Sequence, residues 1–75
     1  MLTKFKRHQP VKILRDADTE YVEYYEDERP IKKGMKGKIN ILLPNGKYHV
    51  EILDENGEAL AYAPFDEEDL EAIEN

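Results

Sequence analysis

The chain contains no cysteine, which excludes a disulfide framework and a thiolate zinc site as sources of stability. It contains no serine either, so the usual hydroxyl and thiol nucleophiles reduce to Thr3 and Thr19. Histidine is confined to His8 and His49, far apart in sequence and with no thiol to join them into a metal site. No apolar run approaches the roughly 18 residues that a membrane span requires. The basic opening Met1–His8 is not followed by an apolar segment, so no signal peptide is expected. These absences together lead us to expect a soluble, cytoplasmic, non-enzymatic protein with no catalytic residues, no cofactor and no metal.

What is present is charge, unevenly spread. Charged residues make up 37% of 75 residues, with a formal net charge of -6. The length predicts one domain, residues 1–75, near the size at which a single core is only marginally sufficient. Residues 1–38 carry ten Lys/Arg against seven acids, whereas residues 39–75 carry one Lys against ten acids. An acidic field of this kind disfavours phosphate backbones and favours basic partners. The apolar residues cluster at strand spacing, which argues against disorder.

That spacing is clearest around two Asn-Gly pairs, Asn45-Gly46 and Asn56-Gly57. Asn-Gly between alternating apolar runs signals a tight hairpin, because such turns need positive φ. Strands are therefore expected at 38–43, 47–53 and 58–63, forming a meander that Pro64 ends. In 47–53, Tyr48, Val50 and Ile52 should face inward and His49, Glu51 and Leu53 outward. An earlier strand is expected from Pro10 to Arg15, where a leading proline removes no ladder bond. Residues 1–9 read either as a frayed arm or as an extra edge strand that tucks Phe5 against the core. Residues 16–33 read as a long hairpin-like loop, in preference to an amphipathic helix from Thr19 to Asp27 capped by Thr19. Gly34-Met35-Lys36-Gly37 reads as a turn whose glycines suit positive φ and close backbone approach. At the carboxyl end, Asp66–Asp69 suits one helical turn leading into a short strand with Leu70 and Ile73. The fold class expected is all-β: a small, five-stranded barrel with a long first loop and a helical turn near the carboxyl end.

Particular segments resemble a prokaryotic family of very small SH3-like proteins without an assigned function. They are Val11-Lys12-Ile13-Leu14, Ile31-Lys32-Lys33-Gly34-Met35-Lys36-Gly37-Lys38-Ile39, Tyr48-His49-Val50-Glu51-Ile52, Asp54-Glu55-Asn56-Gly57-Glu58 and Asp69-Leu70. The outline is also similar to the small barrel subunit on the stromal side of photosystem I and to ribosomal domains with Gly-rich KOW-type turns. The resemblance implies an SH3-like barrel with an accessory, partner-binding role and no active site to transfer. The chain departs from that pattern in its longer first loop, rich in tyrosine and acids.

Several residue groups invite a chemical reading. Asp16, Asp18 and Glu20 alternate like the start of a calcium loop, but the sixth and twelfth positions hold Tyr21 and Asp27 where glycine and glutamate are needed. Gly34–Lys38 lacks the spacing and hydroxyl of a phosphate loop. Lys32, Lys33, Lys36 and Lys38 form a basic stretch of the kind that contacts nucleic acid, though a solvated edge that blocks aggregation is the reading preferred. Tyr21, Tyr24 and Tyr25 are able to stack bases, yet the acids interleaved with them repel phosphate. The same mixture, Tyr21, Tyr24, Tyr25, Glu23 and Glu26, suits a protein-binding loop better, with tyrosine as anchor and acids selecting a basic or extended segment. A third surface, Asp66, Glu67, Glu68, Asp69, Glu71 and Glu74, has the density of an inhibitor that imitates nucleic-acid charge, as an antitoxin-like or phage anti-defence protein does. The leading expectation is a protein-interaction module, with nucleic acid and membrane not among its partners. Oligomeric state is left open by the sequence.

Overall fold

The structure, a computed structural model, describes residues 4–73; Thr3 and Glu74 lie outside the described residues. Six strands form one antiparallel sheet: β1 (Pro10–Ile13), β2 (Glu23–Tyr24), β3 (Lys36–Leu42), β4 (Tyr48–Leu53), β5 (Ala59–Phe65) and β6 (Leu70–Ala72). Their order across the sheet is β2-β5-β4-β3-β1-β6. The all-β class and the β3-β4-β5 meander are as expected, but the strand count is six because the long loop contributes β2. The sheet is not closed: among the described residues, no ladder joins β2 to β6. Ahead of β6 lies a single 3₁₀ turn, Glu67–Asp69, at the expected helical position.

One face of the sheet carries the core. β1 supplies Val11 and Ile13, β3 Ile39, β4 Tyr48, Val50 and Ile52, β5 Ala61, Ala63 and Phe65, and β6 Leu70, all buried. In β4 the alternation is strict, which is what a period of two demands of a strand with one wet face. Leu60 of β5, Ile31, from the end of the long loop, and Phe5, from the amino-terminal arm, complete the cluster. Phe5 is tucked in as anticipated, its ring edge-on to Tyr48 at 5.4 Å and its N–H donating to the Tyr48 hydroxyl at 3.3 Å. The described part of the arm is not a strand. It is held by His8 N–H to the Ile39 carbonyl (2.7 Å) and Ile39 N–H to the Gln9 carbonyl (3.0 Å).

Both hairpins are three-residue loops. Leu43 N–H donates to Lys47 and Gly46 N–H to Leu43; Asp54 N–H donates to Glu58 and Gly57 N–H to Asp54. Only the glycines take positive φ, 87° at Gly46 and 81° at Gly57, so these are type I turns closed by a left-handed glycine. Asn45 and Asn56 stay at negative φ and serve the turn as ordinary polar residues.

A bulge then corrects the register in each hairpin. In β3–β4 the pairing steps from Ile41↔His49 to Ile39↔Val50, leaving Asn40 extra. In β4–β5 it steps from Leu53↔Ala59 to Ile52↔Ala61, leaving Leu60 extra. Continued without these insertions, the turns would put Ile39 opposite Glu51 and Tyr62 opposite Val50, turning a core residue out and a tyrosine in. Each bulge shifts its strand by one residue and so restores the apolar face.

Two further expectations are corrected. Pro64 does not end the third strand of the meander, which continues to Phe65 with Pro64 opposite His49. Leu60 and Pro64 share an orientation in β5: the Leu60 carbonyl accepts from Tyr25 N–H, and the Pro64 carbonyl faces Arg15. The N–H that proline lacks would therefore point away from β4, where no ladder bond is required. Gly37 lies inside β3 and has no positive φ; only Gly34 (φ 96°) turns the chain there. The long loop over 16–33 carries no α-helix, in keeping with the preferred reading; it holds one 3₁₀ turn, Thr19–Tyr21, capped by Asp18, whose carboxylate accepts from Glu20 N–H at 3.2 Å.

Candidate functional site

The long loop is the part of the molecule whose side chains face outward most, and its neck is fastened. Asp16 accepts from Lys33 N–H at 2.8 Å, and Ala17 N–H donates to the Ile31 carbonyl at 2.9 Å. The Lys33 amide holds the Asp16 carboxyl below its usual range, assisted by the charge of Lys32, 3.6 Å away. Beyond the neck, Glu23 and Tyr24 pair with Tyr62 and Ala61, and Tyr25 N–H donates to the Leu60 carbonyl. These bonds dock the loop along the free edge of β5.

The three loop tyrosines separate. Tyr24 leans on the core, whereas Tyr21 is 59% exposed and Tyr25 52% exposed. Glu20, Glu23, Glu26, Asp27 and Glu28 are exposed around them. Of the candidate partner-binding residues, Tyr21, Tyr25, Glu23 and Glu26 are therefore presented to solvent and Tyr24 is largely structural. Beside Tyr25 a cleft opens between the loop and the β4–β5 turn, bordered by Glu26, Asp27, Arg29, Asp54 and Glu58.

Tyr25 does not stand alone. Its hydroxyl lies 2.6 Å from that of Tyr62, which lies 3.0 Å from Glu51 Oε2. Tyr25 Oη also lies 3.4 Å from the same Glu51 oxygen; a carboxylate can only accept, so the two phenol protons are held within this triangle with Glu51 as the final acceptor. The Tyr62 phenol is pushed well above its ordinary pKa, first by its hydrogen bond with Tyr25 and then by its bond to Glu51, so it stays protonated. On β4, His49 stacks on Tyr62 with centroids 4.9 Å apart and rings within 12° of parallel. Asn40, the bulged residue of β3, holds His49 Nδ1 at 2.9 Å. Tyr62, His49 and Glu51 are the members that sequence reasoning missed as a group. Alternation turns His49 and Glu51 outward, but Tyr62 joins them only through the unpaired Leu60.

The remaining candidate surfaces are less free. Asp66 pairs with Lys47 Nζ at 2.9 Å, Asp69 with Arg15 Nε at 2.9 Å and Glu71 with Lys12 Nζ at 3.4 Å. Of the described members of that acidic row, Glu67 and Glu68 are outside these pairs. Among the lysines, Lys32 pairs with Asp16, while Lys36 and Lys38 are exposed on the outer face of β3. Asp16 and Asp18 spend their oxygens on the loop itself, and among the described residues no three His, Asp or Glu gather as metal ligands. Compared with protein-family models, curated proteins and solved structures, the chain matches none.

Proposed function

We propose that this protein is a non-enzymatic, acidic interaction module that captures a basic, extended segment of another protein with its first loop. We read the six-stranded sheet as a variant of the SH3-like barrel, and the resemblance to the family of very small SH3-like proteins points the same way. The observation that carries the reading is the exposure of Tyr21 and Tyr25 on a loop already fastened at its neck and along β5. Exposed tyrosine on a pre-ordered backbone loses little conformational entropy on binding, and so serves as an interface anchor. The acids around it supply sign selectivity. Imitation of nucleic-acid charge has less support, since three of its acids are engaged by Lys12, Arg15 and Lys47. Contact with nucleic acid through the lysines is opposed by the same acids.

The test is titration with extended peptides rich in Lys, Arg and Pro, alongside acidic counterparts of equal length. Combined Tyr21→Ala and Tyr25→Ala should weaken binding of the basic peptides about tenfold or more, the range of a shared pair of aromatic anchors. The thermal midpoint should move by less than about 8 °C, since two surface substitutions at roughly 0.5 kcal/mol each sum to about 1 kcal/mol. Equal affinity for acidic and basic peptides would remove the proposal.

A further inference from the structure

The outer face of the sheet presents a row of Cα partners, Glu23–Tyr62–Glu51–Lys38, crossing β2, β5, β4 and β3. Tyr25 closes over this row through its hydroxyl and its ring, 5.4 Å from that of Tyr62. The two hydroxyls and Glu51 Oε2 lie within hydrogen-bond distance of one another, so both phenol protons are spent within the cluster. What the phenol–carboxylate triad leaves for a ligand is acceptors: the remaining lone pairs of the phenol oxygens and Glu51 Oε1, which receives no hydrogen bond among the described residues. Lys38 faces Glu51 from β3 but forms no ion pair with it among the described residues. Around the acceptors lie aromatic surface from Tyr25 and the stacked Tyr62–His49 pair, and further negative charge from Glu23.

From this arrangement we infer that the Tyr25–Tyr62–Glu51–His49 cluster is a seat for a single arginine side chain of the bound segment. An anion would meet the Glu51 and Glu23 carboxylates, and a neutral apolar group would leave Glu51 Oε1 without a partner. A guanidinium matches on every count: it carries only donors, it is planar and stacks on aromatic rings, and its charge complements Glu51 and Glu23. A lysine ammonium satisfies the charge but not the planar stacking, so arginine is preferred. The inference rests on the proposal that the first loop captures a basic segment, and extends that contact from the loop onto β4 and β5.

The experiment is an amide chemical-shift titration of the intact chain with three short proline-rich peptides differing at one position: arginine, lysine or uncharged citrulline. The arginine peptide should bind about fivefold tighter than the lysine one, as expected for stacking added to charge. It should bind about tenfold or more tighter than the citrulline peptide, with shifts centred on Tyr25, Glu51 and Tyr62. Glu51→Gln and Tyr62→Phe should each abolish the arginine preference, and the dispersion of the same spectra reports whether either variant is folded. Shifts confined to 21–26, without arginine preference and unaffected in both variants, would overturn the seat and leave the loop proposal standing. No shifts with any peptide would overturn both.

Discussion

Gly37 illustrates how one residue governs the approach of two strands. A Cβ built there would lie 2.6 Å from the Glu51 carbonyl oxygen and 2.9 Å from Val50 Cγ1, both fixed in β4. Because its φ is negative, the demand for glycine is steric and has nothing to do with left-handed backbone. Gly34, Gly46 and Gly57 are the opposite case, each with positive φ and open space where a side chain would go. Gly37→Ala should therefore destabilise by overpacking, about 1–3 kcal/mol, seen as a thermal midpoint lower by roughly 5–20 °C. Trimming Val50 should not restore it, because the nearer obstacle is backbone. An unchanged midpoint in a calorimetric scan would show that β3 and β4 are free to separate at this point. The glycine-rich spelling of 34–37 pointed to a turn, but which glycine turns and which is squeezed depends on a strand from elsewhere in the chain.

At the scale of elements, local chemistry was legible and pairing was not. The two hairpins, the inward set Tyr48, Val50 and Ile52, and the last turn and strand follow from residues adjacent in sequence, where turn type and alternation act directly. β2 was hidden because two residues of a polar loop become a strand only when β5 offers them an edge. The passage of β5 through Pro64, and the outward facing of Tyr62, depend on hydrogen-bond parity and on the Leu60 bulge, which single-residue preference does not encode. For the same reason the loop half of the candidate site could be read in advance, while its sheet half, His49, Glu51 and Tyr62, could not.

The neck of that loop is a pH-sensitive fastening. Asp16 has a lowered pKa in the folded protein, chiefly from the Lys33 amide. A carboxyl depressed on folding adds stability above its unfolded pKa and loses it as pH falls through the folded value. Asp16→Asn should thus lower the midpoint near neutral pH relative to wild type. The gap should persist down to about pH 5 and narrow only as pH falls below the ordinary carboxylate value and through the lowered folded one, where both proteins become uncharged at this position. A gap that stayed constant through this range in a series of melts would assign the effect to geometry and not to charge.

At the scale of the whole molecule, the sheet is assembled from contacts of very different reach. β3, β4 and β5 are joined by three-residue loops, whereas β1 meets β6 across almost the full chain, with Ile13 opposite Leu70. The uneven charge seen in the sequence is resolved at this junction: Lys12–Glu71 and Arg15–Asp69 tie the basic half to the acidic half, and Arg15 also lies over the Phe65 ring at 4.7 Å. Loop closure has to be met before such distant contacts return any stabilisation. The meander should therefore form first and β6 dock late. Leu70 and Val50 are both buried, 1% and 0% exposed, so truncating either should lower stability measurably, by about 1–5 kcal/mol. Their kinetic signatures should differ. Leu70→Ala should act mainly by accelerating unfolding, with a φ-value of about 0–0.3, and Val50→Ala mainly by slowing folding, with a φ-value of about 0.5 or more. Stopped-flow chevrons in urea measure both arms directly. Equal φ-values at the two positions would mean that the chain ends meet in the same step that builds the hairpins, and that the ion pairs between the halves help to start folding instead of sealing it.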